Sequence, residues 1–547
     1  MTTSNILSQL GQVLSQAGAS QNAPLIIDKF NIGLVDEEVL SKYQYSPQAC
    51  VDCQDVELFP RGTLSRRKGF DKLNSAPWYN APINKIFQWQ TIDGVSLFLA
   101  FCPASGSTSA DIGSITITGS FVLTPILSVS SASASWDPEW TDVISVTAYS
   151  GSAVFVYPNT EVPYAWSGQA GSLVESLSAS SPSGAKYCAS YGNHLLLANV
   201  LDVNGTRRGS RVVWCYPGNP GYWPATYYLD FDADDGDEIT SISSLGNLVV
   251  VQKETKTFVM HYTGDVDIFK GERISTSTGC VAHNSAREFK GVLYFLAVDG
   301  VYKFDGVSPP VELSGNIRNH FKQLNNQYRH MSQTTVFPDK DQVWVSVPYG
   351  SSIFLNRIYV LDFVQSAWTK FNISCASLSL IRYGANLAYE NFPLDYGNYD
   401  LKIGDAYGAR SEIIVTGTYD GFINRYGLFN TDNGVPVIAY WTSCWLDFGM
   451  PNYNKRVVRG TVWLEKEGDY DLSVLVFADW DDVTPIKTFT VSLSSTVPTI
   501  EKRLDFTRNL RSFQFTVTTS GATASGSPFR IHKMAWDWVP KGRTQVK

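Results

Sequence analysis

Positive charge is in short supply in this 547-residue chain, with 43 Lys and Arg against 51 Asp and Glu, a formal net charge of −8 and a pI near 5.4. That balance excludes a chain that grips nucleic acid electrostatically along its whole surface, because such proteins carry a basic excess. It leaves room for a duplex that passes nearby without being held. Charged residues of both signs are also sparse, at 17%, whereas 44% of residues are hydrophobic and 13% aromatic. General disorder is thereby excluded. Methionine is rare, at five, against 28 Tyr, 29 Phe and 15 Trp; aromatic and β-branched side chains suit a pleated surface, so the composition points to extensive buried sheet. No stretch of about 18 apolar residues occurs, and no membrane span is expected. Met1 to Ser20 has neither a positively charged region nor a compact apolar run, so it does not read as a signal peptide. Ile6, Leu10, Val13, Leu14 and Ala17 recur there at helical spacing and predict a helical arm over residues 1–24 that docks on a neighbouring subunit or caps its own domain.

Catalytic signatures are missing too. The six histidines, His194, His261, His283, His320, His330 and His532, include no pair at the i, i+4 spacing of a helical zinc site. There is no G-x-S-x-G nucleophile elbow and no phosphate-cradling GxxxxGK[ST] loop. Eight scattered cysteines lack the dense spacing of a secreted disulfide scaffold and read as reduced thiols made in a cytoplasm. Cys50-Val51-Asp52-Cys53 is a lone CxxC, short of the four ligands of a structural zinc. The expectation is a non-catalytic protein with no cofactor and no metal.

What the chain does have is a repeated unit of two turn formers followed by an apolar strand. It appears at Asp93-Gly94, Gly192-Asn193, Gly246-Asn247, Lys290-Gly291, Asp339 to Gln342 and Asp420-Gly421. Successive units beginning at Leu195, Leu248, Leu293 and Val343 lie 53, 45 and 50 residues apart, close to the length of a four-stranded propeller blade. The flanking intervals are 98 and 79 residues; Ser150-Gly151 before Val154 divides the first into 57 and 41. The repeat therefore predicts an all-β chain with a β-propeller-like blade repeat of six to eight blades. Ala104 to Gly184, rich in Ser, Gly, Ala and Thr, reads as an inserted small β region or an irregular blade. From about Val435 the repeat stops, and alternating strands at Val457–Leu464, Leu472–Ala478, Lys487–Leu493 and Ser512–Thr518 predict a C-terminal β-sandwich. The expected boundaries are an arm over 1–24, a first part of the propeller over 25–103, the inserted region over 104–184, the remaining propeller over 185–434 and the sandwich over 435–547.

Two charge clusters stand out. Asp230, Asp232, Asp234, Asp235, Asp237 and Glu238 form the richest acidic run, but Gly236 falls one place late for a calcium-binding EF-hand loop and Ser241 stands where its last glutamate belongs. An acidic turn leading into a strand is the expected reading, although several carboxylates in one turn could still converge on calcium. Arg61, Arg66, Arg67 and Lys68 place four positive charges in eight residues, enough to meet phosphates or an acidic neighbour, or to form a solvated turn.

The stretch DVELFPRGTLSRRKGF, within Cys50 to Phe70, resembles the N-terminal segment of phage tail proteins in which a G-x-L-x-x-R-x-G element opens the first blade. GDEITSISSLGNLVVVQKET from Gly236 and FKGVLYFLAVDGVYKFDG from Phe289 resemble later blades, and YWTSCWLDFGMPNYNKRVVRGTVWLE from Tyr440 resembles the sandwich that follows. The family is the tail nozzle, or tail tubular protein B-like hub, of short-tailed bacteriophages. The resemblance implies a virion tail protein assembled in the host cytoplasm into a ring of six subunits below a tail adaptor ring. It also implies contacts with fibres or spikes and with a needle or plug, and DNA passing through the lumen without sequence-specific binding. It brings no catalytic residue. An acidic channel wall would repel DNA and let it slide, so the run from Asp230 to Glu238 is expected at the lumen or at a subunit interface. The other reading of the same features is a carbohydrate- or receptor-binding propeller module of a tail.

Overall fold

The structure, a computed structural model, describes residues 24–36, 46–102, 111–118, 120–128, 141–157, 162–168, 175–177, 182–265, 267–384, 410–427, 429–465, 470–494, 497–519 and 528–543. The helical arm predicted around Ile6 to Ala17 lies outside them. The chain divides into two compact units, one of Gly69–Ser366 and Lys370–Phe429, the other of Met1–Lys68, Ala367–Thr369 and Asn430–Lys547.

The first unit is a β-propeller. Among the described residues it has seven four-stranded antiparallel blades, each following the last in sequence, six of them separate sheets and the sixth blade the end of a ten-stranded one. Blade 1 runs through Lys85–Gln90, Ser96–Cys102, Asp111–Thr118 and Ser120–Ser128; blade 2 through Ser145–Tyr149, Ser152–Val156, Tyr164–Trp166 and Glu175–Ser176. Blade 3 is Gly184–Tyr191, His194–Leu201, Arg207–Trp214 and Tyr228–Asp230, and blade 4 is Ile239–Leu245, Leu248–Lys253, Thr257–Tyr262 and Phe269–Ser275. Blades 5 and 6 begin at Arg287–Phe289 and Gln333–Phe337. In blade 7 the strands Ser377–Gly384, Arg410–Gly417 and Ile423–Tyr426 are completed by Phe70–Lys72, which arrives from the other end of the unit. The first strand of each blade lies beside that of the next, and the first strand of blade 7 beside that of blade 1. The ring is closed, and no blade is left with an uncovered face.

Turn chemistry and apolar interleaving explain why this sequence makes blades. Ser150-Gly151 and Lys290-Gly291 hold both residues at positive φ (49° and 79°, 51° and 77°), the pairing that a two-residue hairpin turn with the native strand twist requires. Each blade then buries aromatic side chains against its neighbour. Phe101 of blade 1 meets Phe155 of blade 2 edge-on at 5.3 Å, Trp214 of blade 3 meets Phe269 of blade 4 at 4.9 Å, and Trp344 of blade 6 meets Tyr426 of blade 7 at 4.9 Å. Burying each such ring stabilises the ring of blades by about 1.5–3 kcal/mol.

The other unit is a sandwich. One sheet orders Val56–Glu57, Leu64–Arg66, Arg530–Arg543, Tyr453–Glu465 and Thr499–Leu510, with Leu25–Ile27 also on Arg530–Arg543. The other contains Gly33–Leu34, Ala49–Gln54, Tyr440–Ser443, Phe513–Thr519, Asp471–Ala478 and Lys487–Ser492. Trp536 of the first sheet packs on Phe513 and Phe515 of the second at 4.7 and 5.5 Å, and Trp441 packs on Phe515 at 5.6 Å.

Three expected boundaries change. Of the two readings of residues 104–184 the blade holds and the insertion does not: Asp111–Thr118 and Ser120–Ser128 are the outer strands of blade 1, and the strands from Ser145–Tyr149 to Glu175–Ser176 form blade 2. Residues 25–68 do not begin the propeller but belong to the sandwich, where Ile27 pairs with Met534 and Cys50 with Ser443. The propeller ends at Phe429 rather than 434. The 98-residue interval is two blades, and the 79-residue one includes the long connection between the first two strands of blade 7.

Candidate functional site

The acidic run forms the connection from the outermost strand of blade 3 to the innermost strand of blade 4, and its charge is met locally. Asp230 takes two hydrogen bonds of 2.7 Å from Arg211. Asp232 accepts from Arg273 at 2.8 Å and Lys256 at 3.2 Å. Lys253, whose side chain is fully buried, donates to Asp235 at 2.6 Å, the Asp232 carbonyl at 2.9 Å and Ser210 Oγ at 3.1 Å, so all three ammonium hydrogens have an acceptor. Burial pushes the Asp235 carboxyl up, but hydrogen bonds from Lys253 and Lys256 outweigh that and bring it down to about 2. Asp237 caps the turn of blade 4, accepting from Thr255 Oγ1 at 2.9 Å and its backbone N–H at 3.2 Å. Glu238 accepts from Asn199 at 2.9 Å and Lys186 at 3.1 Å, and that hydrogen bond from Asn199 leads the effects that hold its carboxyl low. Asp234 is exposed. The run is an ion network that pins two blades together, not a bare negative face.

The basic cluster belongs to the sandwich, and half of it is interior. Arg66 and Arg67 are each 1% exposed. Arg67 Nε donates to Asp55 at 2.7 Å, and its two terminal nitrogens donate to Asp432 at 2.9 and 2.6 Å. Burial works against its charge, and the two carboxylates more than restore it. Arg66 lies 5.1 Å from the Tyr470 ring centroid, Lys68 donates to Asn430 at 3.2 Å, and Arg61 is exposed. Both buried guanidinium groups are thereby removed from any phosphate-facing surface. The G-x-L-x-x-R-x-G element has structural work at each place: Gly62 stands at φ 89°, Leu64 is fully buried, Arg67 holds the two carboxylates, and Gly69 N–H donates to Phe429 where the chain enters the propeller.

At the propeller axis a short turn, His283–Ser285, crosses from blade to blade. His283 Nε2 is 2.8 Å from Ser145 Oγ of blade 2, its Nδ1 is 3.5 Å from Ser241 Oγ of blade 4, and its ring lies 4.8 Å from Tyr187 of blade 3. Asn284 accepts from the buried Lys85 of blade 1 at 2.5 Å. Burial, with Lys85 and Arg287 nearby, pushes His283 down to about 3, so its imidazole is neutral. The turn thereby ties blades 1 to 4 together through their innermost strands.

On the face opposite the acidic connection lies a cleft of about 550 Å³ between blades 3 and 4. Its walls are two equivalent hairpin turns, Ser190–His194 and Ser244–Asn247, with Pro217 and Tyr262 from the outer turns. Tyr262 is half exposed, its ring packed 5.6 Å from Phe269, 6.1 Å from His194 and 6.5 Å from Tyr191. His194 Nδ1 donates to the Cys215 carbonyl at 2.9 Å, which leaves Nε2 as the ring's remaining polar atom. Nothing in the sequence marked Tyr191, His194 or Tyr262. The available signal was the recurrence of Gly-Asn in successive blades, Gly192-Asn193 and Gly246-Asn247, read above only as turns.

All eight cysteines are buried free thiols. A bulge between Cys50 and Asp52 lets both thiols of the CxxC point inward, and burial raises Cys50 well above the ordinary thiol range. Among the described residues no group of three or more His, Cys, Asp or Glu is arranged to hold a metal ion, and no helix is long and apolar enough to cross a membrane.

No protein family model matches the chain, and no curated protein matches it. Solved structures similar to it include a virginiamycin B lyase from Staphylococcus aureus, at 11% identity, covering 66% of this chain and 99% of that one with a TM-score of 0.41. The Pan2 WD40 domain of Neurospora crassa is similar at 8% identity, 66% and 96% coverage and a TM-score of 0.37. An α-L-arabinanase of Penicillium chrysogenum is similar at 11% identity, 55% and 98% coverage and 0.31. The chain is a β-propeller protein, and that assignment rests on its own seven strand ladders.

Proposed function

We propose that this chain is a structural virion protein, the tail nozzle of a short-tailed phage, whose copies form a ring that encloses the exit path of DNA. The observation that carries the reading is the use made of the G-x-L-x-x-R-x-G element: its residues fasten the sandwich and lead the chain into the strand that closes the propeller. The quoted segments from Gly236, Phe289 and Tyr440 resemble nozzle proteins in the order of later blades and then sandwich, whereas the segment before Phe70 lies in the sandwich and leads into the strand that completes blade 7 rather than opening blade 1. The ring docks on an adaptor and contacts fibres or spikes and a needle or plug.

Negative-stain imaging of the purified chain tests this, together with antibody labelling of virions. Six-fold rings with a central hole, and label at the distal end of the tail, are expected. A chain that stays monomeric at micromolar concentration and labels no tail overturns the proposal. The second reading, a carbohydrate- or receptor-binding module of a tail, is favoured by one observation, the aromatic cleft between blades 3 and 4.

A further inference from the structure

We propose that the cleft between blades 3 and 4 is a binding site for a neutral saccharide. The inference deepens the second reading above and is independent of whether the chain assembles into a ring. Its volume of about 550 Å³ lies within the usual range for small-ligand sites, with room for about two sugar rings. The lining residues are Ser, Tyr, Gly, Asn, His and Pro, with no Asp, Glu, Lys or Arg among them. A charged ligand would enter without a counter-charge and lose its hydration uncompensated. A purely apolar one would strip water from the amides of Asn193 and Asn247, both exposed turn residues, and give nothing back.

A peptide would bind through backbone groups, and the carbonyls of both turn asparagines are already engaged. The Asn193 carbonyl accepts from Tyr149 Oη and Gly218 N–H, each at 2.8 Å, and the Asn247 carbonyl accepts from Tyr191 Oη at 2.8 Å. What remains is a half-exposed tyrosine ring held by packing on its other side, two side-chain amides and one imidazole nitrogen. A sugar offers the matching chemistry, an apolar face of C–H groups for the ring and a rim of hydroxyls for the amides. Tyr216 and Tyr222, half exposed and 5.9 Å apart in the next turn outward, extend the aromatic surface toward the propeller rim and mark where a longer glycan would continue.

The test is a glycan array carrying neutral oligomers of glucose, galactose, mannose and N-acetylglucosamine beside sialylated and uronic-acid glycans, followed by titration calorimetry on any hit. Binding to neutral glycans is expected, unchanged between 0.05 and 0.5 M salt because no ion pair is involved. Tyr262→Ala should weaken it at least tenfold and Tyr262→Trp should preserve it, with circular dichroism of both variants matching the parent. No neutral glycan above background overturns the proposal. So does a preference for anionic glycans that fades with salt, displacement by a peptide, or binding that Tyr262→Ala leaves intact. Six-fold rings in the microscope would stand in any of these cases, so the two proposals fail separately.

Discussion

The acidic run on the propeller and the basic cluster in the sandwich look alike in sequence, each a knot of one sign within ten residues, and the structure treats them differently. The acidic residues stay at the surface and take their cations from nearby chain, Lys253 and Lys256 about 20 residues on. Arg67 goes into the interior and takes Asp55 from 12 residues away and Asp432 from 365. A charge cluster in sequence therefore says nothing of burial by itself. Burial follows from the place of the pair in the fold, inside the sandwich for Arg67 with Asp55 and on a connection between blades for the acidic run.

Four measurements sharpen or break that contrast. Arg67→Met should cost about 3–5 kcal/mol in chemical denaturation, because buried Asp55 and partly exposed Asp432 both lose the guanidinium that they share. If it costs no more than a surface change, the cluster is not structural. Next in size is His283→Gln, read as stability against pH. The folded-state pKa of about 3 lies below the unfolded value near 6.5, so the histidine's contribution is complete above about pH 6.5 and is lost as pH falls toward 3. Gln should flatten that slope, worth about 2–4 kcal/mol across the window; an unchanged slope would mean that the axial turn already admits a proton. Lys253→Met should cost about 1–3 kcal/mol, since it leaves Asp235 and the Asp232 carbonyl short of a donor. Stability should also fall as pH drops from about 4 toward 2, where the depressed Asp235 takes up its proton, and Lys253→Met should remove that part of the acid sensitivity. Smallest is Asp230→Asn, which loosens an exposed pair with Arg211 and should change stability by less than about 1 kcal/mol.

The distance in sequence between paired strands governs how much of the fold is legible in the chain. A propeller is built from hairpins, so its signals lie a few residues apart. Asp93-Gly94, Ser150-Gly151, Gly192-Asn193, Gly246-Asn247, Lys290-Gly291 and the turn at Asp339 to Asp341 all join the first and second strands of successive blades. Asp420-Gly421 marks a later hairpin, because residues 385–409 stand between the first two strands of blade 7. The sandwich was half legible. Four of its C-terminal strands alternate and lie within a few residues of their expected places, but Thr499–Leu510 and Arg530–Arg543 are not among those expected, and Leu25–Ile27 and Ala49–Gln54 find partners about 400 to 500 residues away, a pairing that no local pattern announces. The cleft escaped for a related reason: each wall was visible as a turn, and only the side-by-side placement of two blades makes a site of them.

The strand Phe70–Lys72, which completes blade 7, has a mechanical meaning. The seam it makes is three residue pairs long, Phe70 to Tyr426, Asp71 to Arg425 and Lys72 to Asn424, reinforced by an Asp71–Arg425 ion pair at 2.7 Å. A stack of repeats can fray from its ends, but a ring has none. Prising the blades apart has to begin by tearing that seam or by breaking in between blades. The lifetime of the propeller under load is then set by the height of that first barrier rather than by the summed stability of seven blades.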